Sequence, residues 1–417
     1  MTWLRISRRP SRGWALGTLC GVLITCVMVA QERSATVGSL PDRTGSFDKD
    51  GWGLAASVQD EWVIELPGPE PMTFVPSAVR CEADLYLIDP AGGIIHHVNL
   101  DARRRVGVIG RASDGTRLLK SPHAAAADCA AERLYVVDAY GVHVFNTRSA
   151  ALESRFQHPA LFRDTSFSGA ILDAQRGTLY VPGLWSSGRK PWLVRGRDAM
   201  FVGARIGYVL NLSDGSINRG FPAIERGCWS WTWDCVSVVN DRGSDGVWAV
   251  AHTLGTDIGV FTENRTLIRR IDARSDLFRR SGARLKTSAT AREKFAWHHR
   301  NSVIARVFRF DRFVATIHLY HSTERPKKGV PNFEVFMNVH RLDGTGVLSD
   351  VKLPGIPLFR DDRSLYFVDY GPGGRQHIGF GPLTIVSVPI LTADGTRVAA
   401  STDWDGNPVR IAAEIHR

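Results

Sequence analysis

Short runs of apolar, aromatic and β-branched residues recur along this chain, most of them closing on Asp, Gly or Pro. The clearest are "DLYLIDPAGGIIHHVNL" from Asp84, "RLYVVDAYGVHVFNTRS" from Arg133 and "TLYVPG" from Thr178. "GVWAVAHTLGTDIGVFTE" from Gly246, "RFVATIHLY" from Arg312 and "SLYFVDY" from Ser364 continue the series. Runs of this kind bounded by turn residues predict strands. A second strand ends at an Asp-Gly pair in "GYVLNLSDG" (207–215) and "EVFMNVHRLDG" (334–344), which favours tight antiparallel turns. No long amphipathic helix is visible, and 272–296 is charged and interrupted.

The matching positions Leu85, Leu134, Leu179, Val247, Phe313 and Leu365 are spaced 49, 45, 68, 66 and 52 residues apart. Each unit is too small to bury both of its faces, so six of them should pack radially. The expectation is an all-β fold, a six-bladed β-propeller of four-stranded antiparallel blades over residues 57–417. Two sandwiches would need a linker and a change of repeat near the middle, and neither is present. Closure without an open edge requires a strand from the far terminus. "EWVIEL" (61–66) is the candidate, with "RVAAST" or "VRIAAEI" completing the same blade.

The best copy, "IGRASDGTRLLKSPHAAAADCAAERLYVVDAYGVHVFNTRSAALESRF" (109–156), resembles an NHL-type repeat: a Gly-containing loop, a Pro, a short strand, "LYVVD", then "hVF". The chain after residue 57 resembles bacterial six-bladed propellers related to NHL-repeat and TolB-like proteins. The resemblance implies fold more than function, since such propellers serve as binding platforms, hydrolases and lyases.

"MTWLRISRRPSRGW" carries four arginines and no acid, and apolar "ALGTLCGVLITCVMVA" (15–30) follows it. This is the pattern of an export signal, either cleaved or retained as an N-terminal anchor. The destination is then the periplasm or cell envelope, with membrane contact only through this segment. Residues 31–56, rich in Ser, Gly, Asp and Arg, read as a disordered linker. Without the four leader arginines the net charge of +10 falls to +6, and the remaining Lys and Arg are scattered. That argues against a nucleic-acid partner, and no phosphate loop or dinucleotide fingerprint suggests a nucleotide.

Four cysteines remain beyond the leader: Cys81, Cys129, Cys228 and Cys235. In an exported chain an even set permits disulfides. Cys81 and Cys129 sit just ahead of neighbouring repeat strands, and a bridge between them would tie blade one to blade two. "CWSWTWDC" (228–235) places Trp229, Trp231 and Trp233 on one face if it is a single strand. As a hairpin about Trp231–Thr232 it would instead pair Cys228 with Cys235. It reads as a stapled piece of scaffold or as an aromatic platform for a flat ligand.

The innermost strand of each blade should lie just before the repeat strand: Pro76–Arg80, Pro122–Asp128, Asp164–Asp173, Trp233–Val239, His298–Arg306 and Pro354–Phe359. The polar residues nearest a channel mouth are then Ser77, His123, Ser168, Asp234, His299, Arg300 and Asn301. Two histidines and a carboxylate (His123, Asp234, His299) suit a divalent metal such as zinc, with calcium the other choice. A metal-bound water could attack an ester or lactone. No H-E-x-x-H or G-x-S-x-G motif accompanies the set. The expected function is therefore an exported binding or protein-interaction module, with a small molecule or protein at the channel mouth. The alternative is a metal-dependent hydrolase (lactonase- or esterase-like) or lyase. The pair His96–His97 lies on a strand that sends one ring to each face, so it is not a chelate.

Overall fold

The computed structural model describes residues 52–54, 60–72, 75–159, 169–185, 205–222, 238–253, 255–278, 290, 293, 300–310, 312–321, 333–353, 355–361, 364–369 and 382–392. Two strands come first, β1 (Trp52–Leu54) and β2 (Asp60–Ile64). Blade one holds β3 (Ser77–Cys81), β4 (Asp84–Asp89), β5 (Ile94–Asn99) and β6 (Arg104–Ile109). Blade two holds β7 (Ala124–Asp128), β8 (Arg133–Val137), β9 (Gly141–Asn146) and β10 (Leu152–Gln157). Blade three is β11 (Ile171–Asp173), β12 (Thr178–Trp185), β13 (Arg205–Asn211) and β14 (Ile217–Pro222). Blade four is β15 (Val238–Arg242), β16 (Trp248–His252), β17 (Asp257–Phe261) and β18 (Leu267–Asp272). Blade five is β19 (Val303–Phe310), β20 (Phe313–His321), β21 (Phe333–Arg341) and β22 (Gly346–Leu353). Blade six combines β23 (Phe359–Arg360), β24 (Ser364–Asp369) and β25 (Leu383–Thr392) with β1 and β2. Blades one to five each pair four strands antiparallel in chain order, and in blade six β1 and β2 share the outer edge of β25 as its fourth strand, which makes the fold a six-bladed propeller of four-stranded blades.

Strand alternation divides the core into six sectors, one per seam between blades. Leu85 and Leu87 face blade six, where they meet Ile64, Tyr366 and Ile385. Their neighbours Tyr86 and Ile88 face blade two and pack on Leu134, Val136 and Phe145. The same switch places Tyr135 against Leu179, Tyr180 against Trp248, Ala249 against Val314, and Ile317 against Leu365. A strand apolar on both faces is thus a strand packed on both sides. All of β16 is buried, whereas outer β10 and β18 are largely exposed. In blades four and five Val247 and Phe313 are only partly buried, and the fully buried positions are Ala249 and Val314.

Ring closure follows the expectation for 61–66. β2 pairs antiparallel with β25, from Asp60↔Ser387 to Ile64↔Leu383. β1 pairs with the other half of β25, from Trp52↔Thr392 to Leu54↔Ile390, so strand pairing reaches back into the stretch expected as linker. Residues 397–402 and 409–415 lie outside the described residues. Beyond β2 the chain makes a second clasp on the outer edge of blade one: Glu65 N donates to Arg103 O (2.9 Å), and Arg105 N donates to Glu65 O (2.8 Å). The Asp-Gly turns expected at 214–215 and 343–344 are present, with φ of 71° and 94° at their glycines.

The inner strands of blades four to six end later than the sequence suggested, at Arg242, Phe310 and Arg360. Asp241 reads as a turn residue but lies inside β15, which runs from Val238 to Arg242 and pairs Arg242 with Trp248. The turn is at Gly243–Val247, where Asp245 accepts the Val247 N–H at 3.0 Å. In blade five the strand begins at Val303, leaving Arg300 and Asn301 in the approach to it. In blade six it is two residues long.

Candidate functional site: the two ends of the central channel

All six inner strands run the same way through the ring, so the channel has one rim where they begin and one where they end. At the ending rim the last residues are Arg80–Cys81, Asp128, Asp173, Asp241–Arg242, Arg309–Phe310 and Arg360. Cys81 and Cys129 form the disulfide that joins blades one and two, with their Cα atoms 5.6 Å apart. Arg242 joins blades four and three through Asp173 at 3.1 Å, and also holds Glu263 at 2.9 Å. The Asp241 carboxylate accepts from Arg309 N at 2.8 Å and from Arg360 Nε at 2.9 Å, gathering blades four, five and six on one oxygen. Arg309, with its side chain fully buried, is further neutralised by Asp245 at 2.8 Å. Arg80 donates to Tyr366 Oη at 3.3 Å, and Tyr366 donates to Asp361, linking blade one to blade six. Burial and the adjoining Asp361 push the Tyr366 phenol above its ordinary range, so it remains a donor. This rim is stitched by charge and by covalent bond.

The beginning rim has a different chemistry. Ser77 opens β3 and is buried, and its Oγ has no hydrogen-bond partner among the described residues. His123 immediately precedes β7 and is 9% exposed; its backbone N–H donates to Val137 O, and Nδ1 lies 3.2 Å from Ser121 O. Asn301 and Ser302 lead into β19 and are buried, whereas Arg300 is exposed. Cross-blade bonds here include Ile304 N to Thr253 O at 2.8 Å, Asn240 Nδ2 to Gly169 O at 3.5 Å, and a His158 Nδ1–Tyr208 Oη contact at 2.8 Å. Arg306 on β19 donates past blade six to Pro76 O, at the doorstep of Ser77. Burial lowers its guanidinium to about 10, which leaves it charged at neutral pH.

Ser77 opens β3, and His123 and Asn301 lie just ahead of β7 and β19. Asp234, His299, Ser168, Trp229, Trp231, Trp233, Cys228 and Cys235 lie outside the described residues. Among the described residues no group of three His, Cys, Asp or Glu side chains could hold a metal.

Sequence reasoning missed a device that shapes this rim in blades one and two. Asp89 ends β4 and Asp138 follows β8; both are buried, each beside a buried histidine of the next strand. His96 Nε2 lies 3.4 Å from Asp89, and His143 Nε2 lies 3.0 Å from Asp138. Their Nδ1 atoms face Arg105 Nη1 at 3.0 Å and Arg155 Nε at 3.3 Å. Arginine can only donate, so Nδ1 accepts and the imidazole proton sits on Nε2, toward the carboxylate. Burial alone would raise the Asp138 carboxyl, but His143 and the N–H groups of Tyr140 and Lys120 outweigh it and hold it below the usual carboxylate range. The spacing D-x6-H in one copy and D-x4-H in the next was the available signal. His97, on the opposite face, stacks on Tyr86 with centroids 4.8 Å apart, which bears out the separation of the two rings.

Comparison with known proteins adds the fold. No family model and no curated protein matches the chain. A member of the DUF4221 family from Bacteroides vulgatus is similar at 10% identity, covering 83% of this chain and 100% of that one, with a TM-score of 0.59. The hydrazine synthase of Kuenenia stuttgartiensis (13%, 72% and 74%, TM-score 0.44) and the Neurospora crassa Pan2 WD40 domain (11%, 78% and 81%, 0.42) are further neighbours. At such identities the likeness is one of fold alone.

Proposed function

We propose that the protein is an exported binding module that takes its ligand at the rim where the inner strands begin. The observation that carries this reading is the asymmetry of the two rims. One is closed by ion pairs and a disulfide, while at the other the buried Ser77 keeps an Oγ with no partner among the described residues, next to the Pro76 carbonyl that buried Arg306 holds. A few buried polar groups at the end of a channel are what orient a small ligand. The Cys81–Cys129 bridge supports export, because such bonds persist in oxidising compartments. Kinship with NHL-repeat and TolB-like propellers rests on the 109–156 repeat.

The test is a thermal-shift screen of the mature chain against amino acids, sugars, short carboxylic acids and divalent metals, with zinc and calcium content measured beforehand. The expected result is a compound whose stabilisation disappears in Ser77→Ala with Asn301→Ala and persists in Arg80→Ala at the opposite rim. Stoichiometric bound metal, released by chelator together with stability, would replace this reading with the metal-dependent enzyme. No shift by any compound would contradict the site.

A further inference from the structure

The Asp–His–Arg device does different work in its two copies. In blade one Asp89 Oδ1 holds Gly92 N at 2.7 Å, and the turn it shapes carries Pro90, Ala91, Gly92 and Gly93. In blade two Asp138 clamps both loops of the rim. Oδ1 accepts from Tyr140 N at 2.7 Å and Gly141 N at 3.1 Å, and Oδ2 accepts from Lys120 N at 3.1 Å. Gly141 is pressed against β10 so closely that a Cβ there would lie 2.0 Å from Phe156 O, which prevents the turn from sliding. The backbones of Lys120 and Tyr140 are therefore fixed from below by one buried carboxylate. Their side chains project outward, with Tyr140 55% exposed and the Lys120 ammonium 5.2 Å from its ring centre. Exposed Arg117 lies in the same loop, which rests on the blade-one turn at Gly93.

We propose that Lys120, Tyr140 and Arg117 form a docking point for an acidic segment of a protein partner. A carboxylate would meet Lys120 and Arg117, and its aliphatic stem would lie on Tyr140. The feature stands on an exposed rim rather than in a cavity, which fits a protein surface better than a small molecule. A rigid tyrosine beside a cation is the composition of interface hot spots, and a backbone fixed in advance reduces the ordering cost of binding. The formal charge of the chain, +10 with the leader and +6 without its four arginines, complements an acidic partner. This inference shares with the proposed function only the idea of a binding module and does not depend on the channel site.

The experiment is fluorescence anisotropy of a labelled ten-residue polyglutamate probe with the mature chain at low and at physiological salt, with a polylysine probe as control. Binding is expected for polyglutamate alone, about tenfold weaker in Lys120→Ala and in Tyr140→Ala, and retained in Lys120→Arg and in Ser77→Ala. Lys120 and Tyr140 are exposed, so these variants fold, as melting curves will verify. Equal binding by wild type and both alanine variants would overturn the proposal, as would no binding at low salt. Loss of polyglutamate binding in Ser77→Ala would overturn it too, by moving the acidic ligand into the channel.

Discussion

The two rims of the channel are built from the same six strands, yet they are tied differently: one by carboxylate–arginine pairs and a disulfide, the other by bonds to backbone carbonyls and a His158–Tyr208 contact. Where the strands end, Asp241 alone gathers three blades, and the disulfide, Arg242 and Tyr366 tie the others. Where they begin, Arg306 holds Pro76 O, Ile304 N holds Thr253 O and His158 meets Tyr208, while Ser77 is buried and Tyr140 stands exposed beside Lys120. A ring of weakly cross-linked blades needs cross-ties at one end at least. The ion pairs and the disulfide stand at the ending rim, and the recognition proposed above stands at the other.

The sharpest way to break this comparison is to cut the stitched rim. Replacing Cys81 and Cys129 with Ser opens a loop with a sequence separation of 48 and should cost about 4 kcal/mol in the chain-entropy picture. Chemical denaturation of oxidised, reduced and double-Ser protein measures it, and polyglutamate binding of the folded fraction should not change. Asp241→Ala removes the acceptor of the Arg309 backbone N–H and of Arg360 Nε, while Asp245 keeps the buried Arg309 guanidinium paired; a loss of about 2 kcal/mol is expected by urea unfolding.

Acid should act on the wall rather than on either rim. His318 and His340 in blade five are buried, and burial lowers them to about 3 and 4; for His318 the neighbouring His340 adds to the effect, while for His340 the nearby Asp272 opposes it. Their folded values lie below the unfolded one near 6.5, so the unfolded chain takes up protons first. Stability is then full above pH 6.5 and declines as pH falls toward 4, by up to about 1.4 kcal/mol per pH unit for each histidine. Melting curves across that range should fall for wild type and flatten in His318→Leu. The smallest effect belongs to the beginning rim. Ser77→Ala removes a hydroxyl with no described partner and should shift stability by less than about 0.5 kcal/mol, with any loss appearing in ligand binding instead.

Most of the propeller was legible because its middle strands carry one template six times, and burial on both faces forces that template to be apolar throughout. The closing strand at 61–66 was legible because an unclosed ring would leave an open edge; it alternates exposed Glu61, Val63 and Glu65 with buried Ile64 and Leu66. Inner strands of blades four to six were ended too early, and in blade four the reason is that Asp241 looks like a turn former and only its cross-blade partners reveal it as a strand residue. Ser77, His123 and Asn301 could be placed at or just ahead of the inner strands β3, β7 and β19 from their position before a repeat strand. Arg306, Arg309 and Arg360 could not, because the acceptors that draw them inward, Pro76 O, Asp245 and Asp241, are 230, 64 and 119 residues distant in sequence. The paired Asp and His of blades one and two went unread because their spacing differs between copies, although the seam geometry is shared.

The most direct test of the two-rim account is a hydrogen-exchange footprint of the mature chain with and without the compound that gives the largest thermal shift. The account predicts protection confined to 75–78, 120–124, 138–141 and 300–303, with 81–84, 241–247 and 360–361 unchanged. Protection at the stitched rim, with the beginning rim unaltered, would contradict it.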